Sequence, residues 1–354
     1  WEKAACQRHL DDLARSLTDP SWPYYFDVDE ANRVCQFIEL LPHVKGDSAK
    51  PERTAEGVLY PKIMLEDEQV FFVGVLFGWR DRAYRLRRFR RAYLEVARKN
   101  AKTTLLAGIA LYMLGADDEQ GPEVYAAATK KEQAKIVWEI AQEMIRREPE
   151  FRALGIHYNK SRIYNLHCAG KFEPLARDYG SLDGLNTSCF ISDELHAQKD
   201  RGLYDVLDSS TGARAQPLGI GITTSGRPES RTSASPRTYL TKVLNTILHA
   251  HEGMGYRVQG GRAIDDSFFG VIYTLDVGYA IREGEKQAAN DDDWADPAVW
   301  SKANPMLRAK RNETYARNLL ADLTTKVQKA KETVAAQSEF RTKHCNQWLN
   351  ADTS

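Results

Sequence analysis

The sequence lacks several features that would assign it to a broad class of proteins. Its five cysteines form no CxxC pair and have no metal-ligand spacing, so neither a disulfide framework nor a zinc site is expected. No apolar run approaches the roughly 20 residues that cross a bilayer, and the N-terminus has no signal-peptide pattern. Lys plus Arg and Asp plus Glu number 49 each, so the net charge says nothing about partners, and any contact with nucleic acid must come from local patches. We therefore expect a reduced, cytoplasmic protein without a membrane segment.

The chain of 354 residues suffices for one large α/β domain with an appendage, or for two domains. Its first residue is Trp1 rather than methionine, as expected of a fragment. Changes in composition divide it into an N-terminal helical or lid segment (1–57), an α/β core (58–264) and a smaller C-terminal subdomain (265–354).

Apolar runs and amphipathic stretches alternate through the middle of the chain. Strands are predicted at the end of 87–96 and at 123–128, 162–167, 188–192, 218–224 and 268–275, and helices at 30–41, 68–79, 103–114, 130–147 and 312–340. Such alternation predicts an α/β fold with a mainly parallel central sheet flanked by helices. Open sheets of this kind bind ligands at the carboxyl ends of their strands, where three polar segments are predicted.

The first polar segment is a candidate phosphate loop. Residues 96–104 read VARKNAKTT, which has the spacing of the pattern G-x-x-x-x-G-K-[ST] but carries Val96 and Ala101 in place of its glycines. Lys102 is placed to neutralise the terminal phosphates, and the Thr103 hydroxyl to bind Mg²⁺. Ala101 must then adopt a backbone conformation that favours glycine. The alternative is a basic turn that opens a buried helix.

Backbone N–H groups of this loop, together with the start of the following helix, can cradle phosphates. The residues expected to surround the nucleotide are Arg98, Lys99, Asn100, Ala101, Lys102, Thr103 and Thr104. Arg98 or, less readily, Lys99 could reach the γ-phosphate and stabilise charge that develops in the transition state. The alternative for both cations is a solvated side chain.

The other two polar segments also follow predicted strands. Residues 189–194 read CFISDE, where Asp193 is expected to hold Mg²⁺ and Glu194 to polarise the attacking water. The alternative is that both carboxylates cap the next helix. Thr223, Thr224 and Ser225 place hydroxyls near the expected γ-phosphate position, where they could sense its presence, unless they form only a polar turn.

Two charged clusters have other interpretations. The arginines between 80 and 91 could follow a phosphate backbone, or form the solvated face of a half-exposed strand. The acidic run 291–296 could suggest a two-metal nuclease, but no strand-borne carboxylates surround it, so a solvated loop is expected.

Taken together, these motifs resemble the large terminase subunit of tailed bacteriophages, the ATPase that drives DNA into the procapsid. The resemblance covers most of the chain and includes residues 25–27, 37–41, 77–80, 98–103, 127–134, 182–186, 193–196, 223–226, 300–305 and 346–348. It implies an additional-strand, RecA-like P-loop NTPase with a linker subdomain, using ATP and Mg²⁺. It also implies that Gln69 is the glutamine that contacts adenine, whereas Ala101 departs from the glycine that the family usually has before the loop lysine.

The resemblance further implies partners and a location. These are double-stranded DNA, a portal protein, a small terminase subunit and other copies of the chain in a ring on the portal, in the cytoplasm of a host bacterium and not in the mature virion. In the family, an RNase H-like nuclease domain begins just beyond the segment that matches residues 346–348. We therefore expect no nuclease activity from residues 1–354.

Two other functions stay open at this stage. A helicase-type motor would need a second RecA-like domain, for which the roughly 90 residues after Asp265 are too few. A nucleotide-binding packaging scaffold without turnover is suggested by the missing glycines of the loop.

Overall fold

The computed structural model describes residues 1–55, 57–128, 130–176, 184–193, 202–226, 236–245, 247–251, 255–258, 264–276 and 292–349. Its helices are α1 (Glu2–Thr18), α2 (Val28–Glu39), α3 (Asp67–Gly78), α4 (Lys102–Gly115), α5 (Lys131–Arg147), α6 (Glu150–Ala153), α7 (Gly202–Ser209), α8 (Pro236–Asn245), α9 (Glu313–Glu332) and α10 (Val334–Lys343). Its strands are β1 (Tyr24–Phe26), β2 (Glu52–Thr54), β3 (Gly57–Leu59), β4 (Trp79–Asp81), β5 (Arg91–Glu95), β6 (Glu123–Ala128), β7 (Ile156–Tyr158), β8 (Ile163–Asn165), β9 (Gly170–Ala176), β10 (Cys189–Ser192), β11 (Leu218–Thr223), β12 (Leu248–His251), β13 (Gly255–Val258) and β14 (Phe268–Ile272). Among the helices within these ranges, none combines the length and hydropathy of a bilayer span.

One eight-stranded sheet organises the fold, in the order β14-β5-β11-β10-β6-β9-β8-β7. The strands from β14 to β9 run parallel, whereas β8 and β7 extend the sheet in antiparallel pairs. β11 lies between β5, which leads into the candidate phosphate loop, and β10, which leads into Asp193. This inserted strand defines the additional-strand class, so the predicted fold class, a mainly parallel sheet flanked by helices, is confirmed.

The parallel strands are apolar because both of their faces are covered. All six residues of β11 and all four of β10 are buried. Gly219 of β11 has no room for a side chain, since an added Cβ would lie 2.5 Å from the ring of Phe190. Helix α4 is likewise buried all round from Leu105 to Leu114, in contact with the sheet, α2 and α5. The helix that follows the candidate loop is therefore held on every side.

The structure tests two predictions near the C-terminus, a strand at 268–275 and a single helix at 312–340. The strand predicted at 268–275 forms as β14 and pairs in parallel with β5, so the start of segment 265–354 lies in the central sheet. The prediction of one continuous helix over 312–340 is wrong. Two helices occupy this region, because Thr333 takes an extended conformation and its side chain accepts a bond from Ala336 N to cap α10. The division into three segments stays a prediction.

Both interpretations of the arginine cluster are wrong for its central members. The side chains of Arg87 and Arg88 are 0% exposed and pair with Asp117 and with Asp12 and Asp266, respectively. The Arg88 guanidinium also lies over the rings of four aromatic residues, namely Trp22, Tyr24, Trp79 and Phe89. These arginines are neither solvated nor available to DNA. Arg88 joins α1 to the residues before β14, and Arg87 joins the segment before β5 to Asp117, just after α4.

Residues 292–349 contribute a second, smaller core. Trp300, Leu323 and Phe340 form its centre, and Ala97 of the candidate loop packs into the same cluster. The described part of the acidic run serves local structure there: Asp292 pairs with Lys302, while Asp293 and Asp296 accept backbone N–H bonds. The loop and the C-terminal segment thus share one apolar cluster.

Candidate active site

The carboxyl ends of neighbouring parallel strands bring the predicted polar segments to one edge of the sheet. β5, β11 and β10 are adjacent and parallel, so residues 96–104, 223–225 and Asp193 all follow strands that end at this edge. Val96 N donates to Thr223 O at 3.2 Å, and Asp193 N donates to Ala127 O at 3.1 Å. Glu194, the predicted base, lies outside the described residues, as do Thr129 and His196 of the segments that carry the resemblance.

Two residues of the loop have the positive φ angles that glycine usually adopts, although residues 96–104 contain no glycine. Lys99 has φ +65° and Ala101 has φ +54°, both in the left-handed region. Such a conformation costs an L-residue about 1–2 kcal/mol. It turns the chain directly into α4, whose first residue is Lys102 and which has no side-chain cap at its N-terminus. The first N–H groups of α4 can therefore bind an anion.

Replacing Ala101 by glycine is expected to stabilise the protein by about 1 kcal/mol, because glycine adopts positive φ without steric cost. Chemical denaturation should show a higher midpoint, and the KM for ATP should not rise. Ala107→Gly is the matched control, because Ala107 lies buried in the interior of α4, where the same change should destabilise by at least about 1 kcal/mol. A lower midpoint for Ala101→Gly would contradict the strained backbone.

Lys102 closes the loop onto its own beginning. Its Nζ donates to Val96 O at 2.9 Å. Together with Gln69 and Asn100, these two residues line a small cavity of about 20 Å³ beside the partly buried Glu68, where burial raises the pKa of that carboxyl. The ammonium lies inside the curve of the loop, where the terminal phosphates of a nucleotide would be neutralised.

A larger cavity of about 820 Å³ opens beside the loop. Four of the predicted nucleotide contacts line it, namely Gln69, Lys99, Ala101 and Thr104, and α9 contributes Tyr315, Asn318 and Asp322. Its volume is in the range of cofactor sites, about 300–1,000 Å³. The structure therefore brings the predicted adenine-contacting glutamine and the loop to a single cavity of suitable size.

The amide of Gln69 is oriented by the start of α3. Its Oε1 accepts from Glu66 N at 3.0 Å in a capping box, which leaves the NH₂ group as the donor for a ligand. Glu66 is buried, and its carboxylate also accepts backbone N–H bonds from Lys310, Arg311 and Asn312. The wall that carries Gln69 is thus bonded to the segment that precedes α9.

Asn100 ties the loop to the C-terminal segment. It is 7% exposed, and its Nδ2 donates to Ala97 O and to Asn304 Oδ1, while its Oδ1 accepts from Met306 N. The Tyr315 hydroxyl adds a bond to Lys99 O. The structure therefore uses the side chain of Asn100 to shape the loop, and its predicted contact with nucleotide would be made by its backbone.

The predicted coupling residues are buried and bonded to backbone carbonyls. Thr223, Thr224 and Ser225 are 2%, 1% and 2% exposed. The Thr223 hydroxyl donates to Thr224 O at 2.8 Å, and the Ser225 hydroxyl donates to Thr342 O at 2.6 Å. Their role as phosphate sensors stays a prediction, but the structure joins Ser225 to the end of α10.

A buried carboxylate that the sequence analysis did not single out lies just before the loop. Glu95, the last residue of β5, is 0% exposed and accepts from Tyr93 Oη, Arg237 Nε and Trp348 Nε1. Burial, reinforced by the negative charge of Glu95, raises the pKa of Tyr93. An acid at the end of the apolar run before the loop was the available signal, but two of its three partners, Arg237 and Trp348, lie more than 140 residues away in sequence.

Known proteins resemble this chain in both sequence and fold. Residues 67–240 match the family model described as terminase large subunit, ATPase domain. Protein YmfN of Escherichia coli (strain K12) is 30% identical over 197 residues, which are 56% of this chain and 35% of that protein. The terminase large subunit of Enterobacteria phage HK97 is 31% identical over 139 residues, which are 38% of this chain and 27% of that protein.

A solved structure extends this similarity to most of the chain. The crystal structure of the HK97 bacteriophage large terminase matches with a TM-score of 0.64 and 22% identity, covering 90% of this chain and 55% of that one. At this identity the match shows the shared fold. The chain spans 35% and 27% of the lengths of the two sequence relatives, so each of them contains regions outside the matched part.

Proposed function

Because this chain belongs to the family of bacteriophage large terminase subunits, we propose that it hydrolyses ATP to move double-stranded viral DNA into a procapsid. The observation that carries the proposal is the cavity of about 820 Å³, which joins Gln69 to a glycine-like phosphate loop at the edge of an additional-strand sheet. One cavity could therefore receive the base at Gln69 and the phosphates at the loop, which supports the proposal.

The residues of the site have distinct roles in this mechanism. Lys102 and the first N–H groups of α4 bind the β- and γ-phosphates, which orients the terminal phosphate for attack. Glu194 polarises the attacking water. Arg98, whose side chain is exposed, offsets the negative charge that develops on the transferred phosphoryl group.

The donor set of the site fits Mg²⁺. Thr103 offers a hydroxyl and Asp193 a carboxylate, and Mg²⁺ prefers such oxygen ligands while keeping several waters and substrate phosphates. When bound, the ion would neutralise phosphate charge. No group of three or more His, Cys, Asp or Glu suited to a metal occurs in the part of the chain that the structure describes, so substrate oxygens would complete the shell.

The proposal extends to the assembly in which ATP is consumed. We infer that copies of the chain form a ring on a portal protein in the host bacterial cytoplasm, with a small terminase subunit and double-stranded DNA as partners. Thr223, Thr224 and Ser225 would report phosphate loss to the surface that grips DNA. The exposed position of Arg98 allows it to act within its own subunit or on the next one.

Phosphate release by the wild type and by Glu194→Gln, with and without double-stranded DNA across a protein concentration series, tests this proposal. We expect turnover that rises steeply with protein concentration, because ring motors complete their sites between subunits. Loss of the base should lower turnover by at least about 100-fold while ATP binding persists.

Asp205→Asn, the same acid-to-amide change at an exposed position of helix α7, serves as the control and should leave turnover unchanged. If Glu194→Gln hydrolyses ATP like the wild type, the assigned mechanism is wrong. If the wild type binds ATP but releases no phosphate at any concentration, the chain is a holding module rather than a motor.

A further inference from the structure

The side chain of Asn346 bridges the two strands that flank β5. Its Oδ1 accepts from Ser225 N at 2.7 Å, just after β11, and its Nδ2 donates to Tyr273 O at 2.6 Å, just after β14. β5 lies between β14 and β11 and leads directly into the phosphate loop. Asn346 is 0% exposed, so both bonds are shielded from water. One amide therefore spans the base of the loop from one neighbouring strand to the other.

The backbone around Asn346 continues this contact to the loop itself. Arg98 N donates to Lys343 O at 3.0 Å, and Leu275 N donates to Cys345 O at 3.3 Å. Asn304 Nδ2 donates to His344 O at 2.7 Å, and the same side chain accepts from Asn100 within the loop. Segment 342–346 is consequently bonded to the phosphate loop, to residues 273–275 just after β14, and to Ser225, two residues after β11.

The residue type at position 346 fits this task. Asn346 has φ +56°, a left-handed conformation that asparagine tolerates better than most residues. An amide also supplies one acceptor and two donors on a short side chain, so it can bond an N–H on one side and a carbonyl on the other. Aspartate would lack the donor, and alanine would lack both groups.

We propose that Asn346 is a positioning residue that fastens the ends of β11 and β14 to the C-terminal segment 342–348, whose backbone is bonded to the phosphate loop, so that nucleotide binding at the loop alters this segment. The proposal rests on the proposed function, because it assumes that ATP binds at residues 98–104. It also names the residue that responds: a change at the γ-phosphate alters Ser225, which is bonded to Asn346. Trp348, which is bonded to Glu95, lies two residues further along the same segment.

Asn346→Gly tests the role of the side chain, because glycine keeps the positive φ and removes only the amide. Hydrogen exchange of peptides covering 340–349 should be measured with and without a non-hydrolysable ATP analogue and Mg²⁺. In the wild type we expect the analogue to slow exchange in these peptides. In Asn346→Gly the analogue should still slow exchange in the loop peptides but leave 340–349 unchanged.

Kinetics separate positioning from a purely structural role. We expect kcat of Asn346→Gly to fall about tenfold while the KM for ATP stays within about twofold, because the variant loses the response to bound nucleotide and keeps the residues that bind it. Asn165→Gly is the matched control: Asn165 is also buried, but it lies in β8, four strands away from β11 in the sheet, and accepts from His167 N. It should lose stability without changing the response of peptides 340–349.

Each outcome decides the proposal. A folded Asn346→Gly that keeps wild-type kcat and the response of 340–349 overturns it. If circular dichroism shows this variant unfolded, Ser225→Ala takes its place, because it removes the bond to Thr342 O alone and should weaken the same response. Analogue binding without ATP turnover, but with a response lost in the variant, supports Asn346 while refuting hydrolysis. Absence of analogue binding to the wild type overturns both proposals.

Discussion

Replacing Lys102 by alanine should reduce ATP turnover by about 10²–10³-fold and weaken ATP binding as well. The ammonium lies within the loop, 2.9 Å from Val96 O, at the start of a helix whose N-terminus has no side-chain cap. The site would then lack the one lysine placed at the β- and γ-phosphates, in both the ground state and the transition state, and would keep only the backbone N–H groups, Arg98 and the metal ion. Phosphate release and binding of a fluorescent ATP analogue, measured on the same preparations, would quantify the two effects.

Lys329→Ala is the control for this variant, since Lys329 is an exposed cation on α9 and its loss removes the same charge elsewhere. It should keep wild-type turnover and affinity. If Lys102→Ala and Lys329→Ala behave alike, the segment 96–104 is a basic turn that opens a buried helix, and the nucleotide must bind elsewhere.

Arg88→Met is expected to lower the free energy of unfolding by about 3–5 kcal/mol, the usual effect of removing one partner of a buried ion pair. Methionine fills much of the space, but it leaves the Asp266 carboxylate without its guanidinium partner and Asp12 with only the longer contact to Arg8, at 3.7 Å. The variant also lacks the cation–π contacts that the Arg88 guanidinium makes with the rings of Trp22 and Trp79. Urea denaturation followed by circular dichroism would measure the change in midpoint and slope.

Arg146→Met provides the comparison, because Arg146 is 54% exposed and pairs with Glu143 on the surface of α5. Surface pairs of this kind contribute about 0–1 kcal/mol. A loss of similar size in the two variants would mean that the buried network contributes no more to stability than a solvated pair.

The sequence allowed the central sheet to be predicted because its strands are continuous apolar runs separated by amphipathic helices. The strand at 123–128 forms with the predicted bounds, and the loop lies between a strand and a buried helix as its pattern indicates. Left-handed geometry at Ala101 was also predictable, since the phosphate-loop pattern requires it where glycine usually stands.

The errors arose where distant residues decide the structure. The arginines at 87 and 88 looked solvated because their partners, Asp117, Asp12 and Asp266, are 30 to 178 residues away. Asn304 and Asn346 belonged to segments that carried the family resemblance, but no local pattern showed that their amides reach the loop and the strand ends. The break at Thr333 depends on a side-chain cap within a polar helical run.

Two backbone hydrogen bonds restrain the loop, one from Ala97 N to Ala303 O and one from Arg98 N to Lys343 O. We expect them to affect the rate at which nucleotide binds. A glycine-rich loop is usually ordered by its ligand, which then loses part of its binding energy to the entropy of ordering. Here the neighbouring backbone restrains the loop as the chain folds, so that entropy is already lost before nucleotide arrives. Association should therefore proceed in one step, at a rate set by diffusion into the cavity rather than by rearrangement of the loop.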